Sequence, residues 1–477
     1  MYNSSMGTKE KFDFVVIGNG AIGLLSAIRI KENLPKMTVA IVGPTERIGS
    51  ASAAAGAMAN VFAEYESDVD GNYAAQDLFL KIGILGRDKW KKFLLSHNMN
   101  QVITVESTLV YLQKNASRFE ILNFSKVKEI SKNHDCLEGL TSDRIDTIFT
   151  ATRNRIDEVI EIKNEFSICT KLLFELLSEH AKKIGVHLID DYAQKLNSED
   201  EIALVKGEVI QFKKLVIAAG AQSGNLLMEY HVVQMLQGVG TAVIFDSEST
   251  HELHQFKRNV IRTVNRGGAQ CGIHLVPRSD GSLYLGAGNY VATPIESPHR
   301  IETIRYLFEK LESDIVGKQA AYDLTGTLTK GYRPRSLDGY PMIGPLKENT
   351  DIFVATATNR VGLTWAPEIA EQILLWANET EISKSFSDWK PDRKLISFGT
   401  PSKAKDYFVN SRIGAAIEHG LVDNDPDNIK KREIELRNIS DELHVKTATL
   451  VGINSEFASI NPDNWNAIIS NNISCIN

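Results

Sequence analysis

The chain has 477 residues, and 53 Lys plus Arg against 60 Asp plus Glu give a net charge of −7. Charged residues at 24% and hydrophobic residues at 43% are ordinary globular values, which exclude wholesale disorder and suggest about two or three domains. The sequence has no long run of Lys or Arg that could neutralise a phosphate backbone, so we expect no nucleic acid partner.

Cysteine and histidine spacing argues against disulfides and metals. The four cysteines are far apart and none lies in a C-x-x-C pair: Cys136, Cys169, Cys271 and Cys475. His251 and His254 are three residues apart but have no acidic or cysteine ligands beside them, so they predict a solvated helix face and no metal site. With a short polar start and no apolar run near the ~20 residues of a membrane span, the sequence predicts a soluble protein of the reducing cytoplasm.

The first readable element is a β-α-β unit. Phe14–Ile17 is a short β-branched run typical of a buried parallel strand. The glycine-rich segment Gly18–Gly23 follows, then a helical segment over 24–33 and a second strand over Thr38–Val42. The unit spans about 30 residues, the length expected for this motif.

The glycines of this unit predict a dinucleotide site. Gly18 permits a tight turn, Gly20 lets a pyrophosphate approach the backbone, and Gly23 lets helix and strand pack closely. The helix N-terminus then supplies N–H donors and partial positive charge. The alternative is a structural glycine turn. In this motif an acidic residue usually ends the second strand and binds the ribose hydroxyls. That position falls near Gly43 here, so the acidic residue is missing, and the nearest carboxylate is Glu46.

A run of small residues occupies 49–58, after the second strand. Such a run allows a bulky planar ligand to lie against the backbone, and Ser50 and Ser52 offer hydroxyl groups. The alternative is a helix packing contact between small residues.

Further elements alternate between two patterns. Buried strands of an α/β layer are predicted at Val186–Ile189, Leu215–Gly220 and Ile352–Ala355. Three helices are predicted. One spans 171–185, one begins after an N-cap and first-turn proline at Ser297-Pro298, and one spans 362–376. Between 231 and 295, turn signals separate strands of a mostly antiparallel sheet: Thr241–Phe245, Cys271–Val276 and Ser282–Leu285. Antiparallel material is therefore inserted between parts of one α/β layer.

The last part of the chain, from about residue 400, is richer in Asp, Asn and Lys. Ile429, Leu436 and Leu443 recur every seven residues, with Ile439 beside them, and predict one amphipathic helix. We expect this extension to pack on the body of the protein or on a partner subunit.

Taken together, the motifs resemble the D-amino-acid-oxidase-type family of FAD-dependent oxidoreductases. The run S-A-A-A-G-A-M at 52–58 is most similar to the glycine oxidase branch. The resemblance continues, in the family's order, through LVIAAGAQSG (215–224), HLVPRSDGSLYLGA (274–287), GYRPRSLDGYPMIG (331–344) and ATATNRVGLTWAP (355–367). It covers about residues 12 to 396.

The resemblance implies an α/β fold in which a Rossmann-like FAD-binding domain carries an inserted substrate domain with an antiparallel sheet, followed by a helical C-terminal extension. The implied bounds are 12–85, 150–230 and 331–396 for the FAD-binding domain, 86–149 and 231–330 for the substrate domain, and 397–477 for the extension.

The resemblance also implies an activity: oxidation of the C–N bond of a small amino acid or N-substituted glycine to an imine, with hydride passing to flavin N5 and oxygen as acceptor. FAD is expected to be non-covalent, because Ala53 stands where some relatives attach it through histidine. Three alternatives stay open: a dehydrogenase that uses a carrier or quinone, a decayed flavoprotein subunit of a complex, and an NAD(P)-dependent enzyme. The C-terminal extension is the expected contact for a homo-oligomer or a partner subunit.

Three residues carry the implied substrate chemistry. Arg333 matches the family arginine that pairs with the substrate carboxylate, a planar contact that Arg suits better than Lys. Its alternative is a buried structural ion pair. Arg360 matches an arginine that faces the site in glycine-oxidase-like members, with a surface arginine as the alternative. His274 stands where the family often has a tyrosine, with a core histidine as the alternative.

The late helix completes the implied cofactor site. In the resembled fold, its N-terminus at Gly362 points at the flavin pyrimidine, where partial positive charge stabilises the anionic reduced flavin. Ala357-Thr358 replaces the family's usual Gly-His here. The residues predicted to bind the cofactor are Gly18, Gly20, Ala21, Ile22, Gly23, Glu46, Ser50, Ser52, Gly56, Ala57, Met58, Ala219, Gly220, Arg333, Gly362, Leu363 and Thr364.

Overall fold

The computed structural model describes residues 10–66, 73–197, 200–265, 271–291, 298–397, 399–418, 421–422, 425–453, 463 and 465–466. Two compact units make up the chain. The first unit comprises Met1–Ala53, Lys171–Leu236 and Arg333–Arg393, and the second comprises Ala54–Thr170, Gln237–Tyr332 and Lys394–Asn477.

The strands are β1 Glu10–Ile17, β2 Val39–Val42, β3 Met58–Ala59, β4 Ile103–Gln113, β5 Leu137–Gly139, β6 Ile156–Ile168, β7 Val186–Ile189, β8 Ala193–Asn197, β9 Glu201–Leu204, β10 Val209–Ile217, β11 Met235–Phe245, β12 Val260–Arg262, β13 His274–Pro277, β14 Leu283–Val291, β15 Gly326–Ser336, β16 Met342–Pro345 and β17 Ile352–Thr356. The helices are α1 Ala21–Asn33, α2 Tyr73–Ser96, α3 Arg118–Asn133, α4 Ser142–Ile148, α5 Thr170–Lys183, α6 Ser223–Leu226, α7 Ile301–Lys310, α8 Lys318–Tyr322, α9 Gly362–Ala377, α10 Pro401–Glu418 and α11 Pro426–Thr447.

The first unit is built on a mainly parallel sheet of order β16-β17-β10-β1-β2-β7. Strands β17, β10, β1, β2 and β7 run parallel, while β16 and β9 pair antiparallel at its margins. Val16 lies between Ile41 and Val216 in register, and all three side chains are buried. Apolar runs of this kind are stable because both faces of the sheet are covered. The predicted α/β layer, including the late return at 352–355, is confirmed.

The second unit contains a nine-stranded sheet, with β15-β11-β14-β13-β12-β4-β6-β3 as its order and β5 paired to β6. The predicted antiparallel pairing is confirmed for β11 with β14 and for β13 with β14. One pair differs: β12 runs parallel to β4. Strand β6 pairs antiparallel with both β4 and β3, so this sheet is assembled from segments that are distant in sequence.

The division into units differs from the predicted spans at 54–85 and 150–170, which lie in the second unit. The reason is the pairing of β3 with β6, in which Met58 lies opposite Ser167. A two-residue strand has too little periodicity to be recognised in a sequence. What each unit binds stays a prediction.

The predicted N-cap of the helix near residue 300 is wrong. Helix α7 begins at Ile301, with Arg300 at the N-cap position. Pro298 lies outside the helix, and its carbonyl oxygen accepts a hydrogen bond of 2.8 Å from the Tyr290 hydroxyl. Ser297 is outside the described residues.

The C-terminal extension forms two helices, α10 and α11, that pack together and on α3. Phe408, Ile413 and Leu436 share a buried cluster with Phe119 of α3. The predicted amphipathic helix is confirmed for Leu436 and Leu443, which are buried, and for Ile429, which packs against the cluster, whereas Ile439 is exposed. Helix α10 was not distinguished from the sequence. Among the described residues, no helix combines the length and the apolar character needed to cross a membrane.

Candidate functional site

The glycines of the first unit lie at the carboxyl edge of its parallel sheet. Gly18 has φ +107°, and a Cβ there would lie 2.2 Å from the Ala218 carbonyl oxygen. A Cβ on Gly23 would lie 1.7 Å from the Gly18 carbonyl oxygen. Both positions therefore exclude any side chain, because β1, β10 and α1 converge on this turn.

The N-terminus of α1 is open to an anion. Its N-cap residue, Gly20, has extended backbone and no side-chain cap, and the first turn carries no acidic residue. The Ala21 backbone nitrogen donates to the Ser52 hydroxyl over 3.4 Å. A Cβ on Gly20 would meet that hydroxyl at 3.1 Å. The partial positive charge of this helix N-terminus, with no acidic side chain beside it, fits the pyrophosphate of a dinucleotide such as FAD.

Glu46, the nearest carboxylate to the missing ribose ligand, is exposed in the loop after β2. It makes no ion pair or hydrogen bond within the described part of the chain. Ser50 lies in the same loop, and its backbone nitrogen donates to the Arg47 carbonyl oxygen over 3.0 Å.

Arg47 organises this loop, which the sequence did not indicate. Its Nε donates to the Asn19 carbonyl oxygen at 2.9 Å, and its two Nη atoms reach the Thr45 carbonyl oxygen at 3.0 Å and the Ser178 hydroxyl at 3.1 Å. Burial lowers the pKa of the Arg47 guanidinium. The side chain therefore connects the glycine turn to α5.

Two further strand ends meet beside this turn. The Thr356 hydroxyl at the end of β17 donates to the Gly220 carbonyl oxygen over 3.0 Å. Ala219 and Gly220 follow β10, whose extension at Ala218 donates to the Ile17 carbonyl oxygen over 2.8 Å. The carboxyl ends of β1, β10 and β17 are thus joined by hydrogen bonds, as expected where a parallel sheet binds a ligand.

Arg333 and Arg360 lie on neighbouring backbone segments of the first unit. The Asn359 backbone nitrogen donates to the Pro334 carbonyl oxygen over 2.8 Å, and each arginine is next to one of these residues in sequence. Both arginines are half-buried. The backbone segments that carry the two arginines are therefore neighbours, and a joint role of their cations toward an anionic substrate group stays a prediction.

Helix α9 begins at Gly362 after a strained turn. Ala357 and Asn359 have φ of +57° and +48°, in the left-handed region. A Cβ on Gly362 would lie 2.4 Å from the Thr358 hydroxyl oxygen, so this hydroxyl packs against the first turn of the helix. Leu363 and Thr364 are buried, the N-cap residue Val361 makes no side-chain cap, and the first turn has no acidic residue. Its N-terminus can therefore stabilise negative charge on a ligand.

In the second unit, His274 and Tyr284 support the end of the small-residue run. Their rings stack at 5.8 Å, and the Tyr284 hydroxyl donates to the Ala54 carbonyl oxygen over 3.1 Å. Cβ atoms on Gly56 and Gly286 would lie 3.0 Å and 2.5 Å from the Tyr284 ring. His274 is buried and its Nδ1 lies 3.1 Å from the Gly272 carbonyl oxygen. This is the packing of a core histidine, and a contact with substrate stays a prediction.

A buried carboxylate also orders the chain beyond β3. Glu165 accepts hydrogen bonds from the backbone nitrogens of Val61 at 2.8 Å, Phe62 at 2.7 Å and Ala63 at 3.2 Å. Burial raises the pKa of this carboxyl, and the three N–H donors oppose that shift. Nothing in the sequence pattern of β6 indicated this group.

The predicted site residues divide between the units. The first unit holds Gly18, Gly20, Ala21, Ile22, Gly23, Glu46, Ser50, Ser52, Ala219, Gly220, Arg333, Arg360, Gly362, Leu363 and Thr364. The second unit holds Gly56, Ala57, Met58 and His274. Ala57 has φ +52°, and Met58 begins β3. Sequence reasoning missed Asn19 and Arg47, although each is adjacent to a residue that it singled out.

Comparison with known proteins shows the family and the fold of this chain. The model of a family described as DAO, FAD dependent oxidoreductase, matches residues 13–374. No curated protein matches the chain. The glycine oxidase from Geobacillus kaustophilus superposes with a TM-score of 0.67 at 15% identity, covering 81% of this chain and 100% of that chain. The L-proline dehydrogenase from P. horikoshii gives 0.63 at 16% identity, covering 81% and 98%. The dithionite-reduced, FAD-bound L-α-glycerophosphate oxidase from Mycoplasma pneumoniae gives 0.61 at 15% identity, covering 81% and 99%. At these identities the likeness is one of fold.

Proposed function

This chain belongs to the DAO family of FAD-dependent oxidoreductases, its cofactor is FAD, and on that premise we propose that it oxidises the C–N bond of a small amino acid or N-substituted glycine. The substrate carbon loses a hydride and the nitrogen loses a proton to solvent, which leaves an imine that water hydrolyses to an oxo acid and ammonia or an amine. When bound, FAD supplies the hydride acceptor at N5. The first electron acceptor after FAD is proposed to be oxygen.

The observation that carries this proposal is the pair of half-buried arginines, Arg333 and Arg360, joined through the hydrogen bond between Asn359 and Pro334. Arg333 is assigned to the substrate carboxylate, because a guanidinium offers two parallel N–H donors to one carboxylate. Fixing that group orients the adjacent C–N bond without any catalytic base. Arg360 adds positive charge to the same edge.

The N-terminus of α9 is assigned to the charge that develops during the reaction. Gly362 has no side chain, the Thr358 hydroxyl packs beside it, and the first turn of the helix has no acidic residue. Its N–H groups can therefore stabilise an electron-rich oxygen or nitrogen. Non-covalent FAD is part of the proposal, because Ala53 offers no atom for attachment.

We test the proposal on the full chain by adding glycine, sarcosine and D-alanine in turn without oxygen while following the flavin absorption band. One of them is expected to bleach the band, and Arg333→Ala is expected to abolish bleaching while the chain keeps its FAD. Arg432→Ala is the control, because Arg432 pairs only with exposed Glu435 among the described residues. Bleaching that survives Arg333→Ala would contradict the carboxylate assignment.

Two further outcomes separate the alternatives. Hydrogen peroxide formed in air identifies an oxidase, whereas reoxidation only by a quinone or carrier identifies a dehydrogenase. A flavin band that no amine bleaches, together with aggregation of the chain on size-exclusion chromatography, favours a decayed subunit that binds a partner through α10 and α11. A cytoplasmic location is also proposed, since Cys136, Cys169 and Cys271 are buried free thiols.

A further inference from the structure

The end of β2 lacks the acid that usually binds the nucleotide ribose, and the structure shows which residue lies beside that position. Gly43 follows Val42, the last residue of β2. A Cβ on Gly43 would lie 2.9 Å from the backbone nitrogen of Asn19 and 2.6 Å from its Cγ. A side chain at 43 is therefore excluded by Asn19, the residue between the first two glycines of the turn.

The orientation of the Asn19 amide is determined by its partner. Nδ2 donates to the Pro44 carbonyl oxygen over 2.9 Å. A carbonyl oxygen only accepts, so the NH₂ group must face Pro44 and Oδ1 must face the other way. Oδ1 lies 2.7 Å from the point where a side chain on Gly43 would begin. It accepts no hydrogen bond from any residue that the structure describes.

The backbone that carries this oxygen is held from two sides. The Gly18 backbone nitrogen donates to the Val42 carbonyl oxygen over 2.8 Å. Arg47 donates through Nε to the Asn19 carbonyl oxygen over 2.9 Å, and its far end is anchored on Ser178 of α5. A preorganised acceptor therefore stands at the ribose end of the dinucleotide fold.

We propose that Asn19 Oδ1 accepts a hydrogen bond from the adenosine ribose of FAD, in place of the usual carboxylate, and that Arg47 is its positioning residue. A neutral amide oxygen suits this role because a ribose hydroxyl needs an acceptor and not a charge. This inference rests on the FAD cofactor and is independent of the proposed substrate, so FAD affinity tests it even where no amine is oxidised.

The test measures equilibrium binding of FAD, and of FAD analogues lacking the adenosine 2′- or 3′-hydroxyl, to the full chain freed of cofactor. The unmodified chain is expected to bind at least one deoxy analogue about threefold to tenfold more weakly than FAD, the range for one neutral hydrogen bond. Asn19→Ala is expected to weaken FAD binding by that factor and to abolish the difference in affinity between FAD and the analogue.

Arg47→Met tests the positioning role, because it is expected to reduce the same discrimination ratio. The control is Asn33→Ala, which removes an exposed amide on α1 that, among the described residues, donates only to the Arg29 carbonyl oxygen. Equal binding of FAD and both deoxy analogues by the unmodified chain would overturn the proposal. Discrimination that persists in Asn19→Ala would do the same, and neither result depends on the oxidation of an amine.

Discussion

A buried ion pair in the first unit ties the segment after β15 to the end of that unit. Arg393 Nε and Nη2 donate to the two carboxylate oxygens of Asp338 over 3.0 Å and 2.8 Å. The side chains are 8% and 1% exposed. Asp338 also accepts from the Ser336 hydroxyl at 2.9 Å and the Tyr340 backbone nitrogen at 3.2 Å. The motif residue Asp338 is therefore structural, and it lies five residues from Arg333.

Arg393→Met leaves the Asp338 carboxylate buried without its cation. Removing one partner of a buried pair costs about 3 to 5 kcal/mol, and Arg393 also donates to the carbonyl oxygens of Tyr340 and Pro341 over 3.0 Å and 2.9 Å. We therefore expect a loss near the upper end of that range. The double variant Asp338→Leu with Arg393→Met removes both charges, and it is expected to be more stable than Arg393→Met alone.

The measurement is urea denaturation of the full chain at pH 7, compared with Arg432→Met as control. Arg432 and Glu435 form a pair whose side chains are 44% and 49% exposed, and its loss is expected to cost less than about 1 kcal/mol. An Arg393→Met chain no less stable than the control would refute this reasoning. So would a double variant whose loss equals the sum of both single losses.

Three other predictions follow from single contacts. Gly23→Ala should purify without FAD, because its Cβ would lie 1.7 Å from a carbonyl oxygen; Gly139→Ala, with nothing within 4 Å, should keep FAD by absorbance. Ala357→Gly relieves a left-handed φ of +57° and should raise the free energy of unfolding by up to about 1 kcal/mol; a loss in urea denaturation would contradict the strain. A hydrogen bond from Lys213 lowers the pKa of Asp13 from 3.8 to about 2. The ionised Asp13 carboxylate therefore adds to the free energy of unfolding above pH 3.8, and this contribution is lost as the pH falls through 2. Asp13→Asn should lower the free energy of unfolding at pH 6 and match the unmodified chain below pH 2. A pH-independent gap would argue against it.

Local patterns in the sequence predicted much of the fold. The strand at Phe14–Ile17, the glycine turn and α1 were predicted because each obeys a short-range rule of periodicity or backbone freedom. The first strand extends back to Glu10 in the structure, since its polar start pairs in register with Ile210 of β10. The pattern of apolar residues in the sequence does not show that polar residues before Phe14 also pair with a neighbouring strand.

The candidate site was predicted in part. Gly18, Gly23 and Gly362 were singled out by motif, and the structure gives each a close approach that excludes a side chain. Asn19 and Arg47 were missed because their importance comes from partners 25 to 131 positions away in sequence.

By itself, the sequence determined the family, its FAD cofactor and the order of its elements, because glycine turns, apolar periodicity and motif order are local properties. Tertiary structure alone decided that β3 joins β6, that Asp338 pairs with Arg393, and that Asn19 fills the space beside Gly43. Each of these depends on two distant segments meeting at atomic distance. Hydrogen bonds and steric exclusion act over a few ångströms, and only the folded chain brings such segments that close.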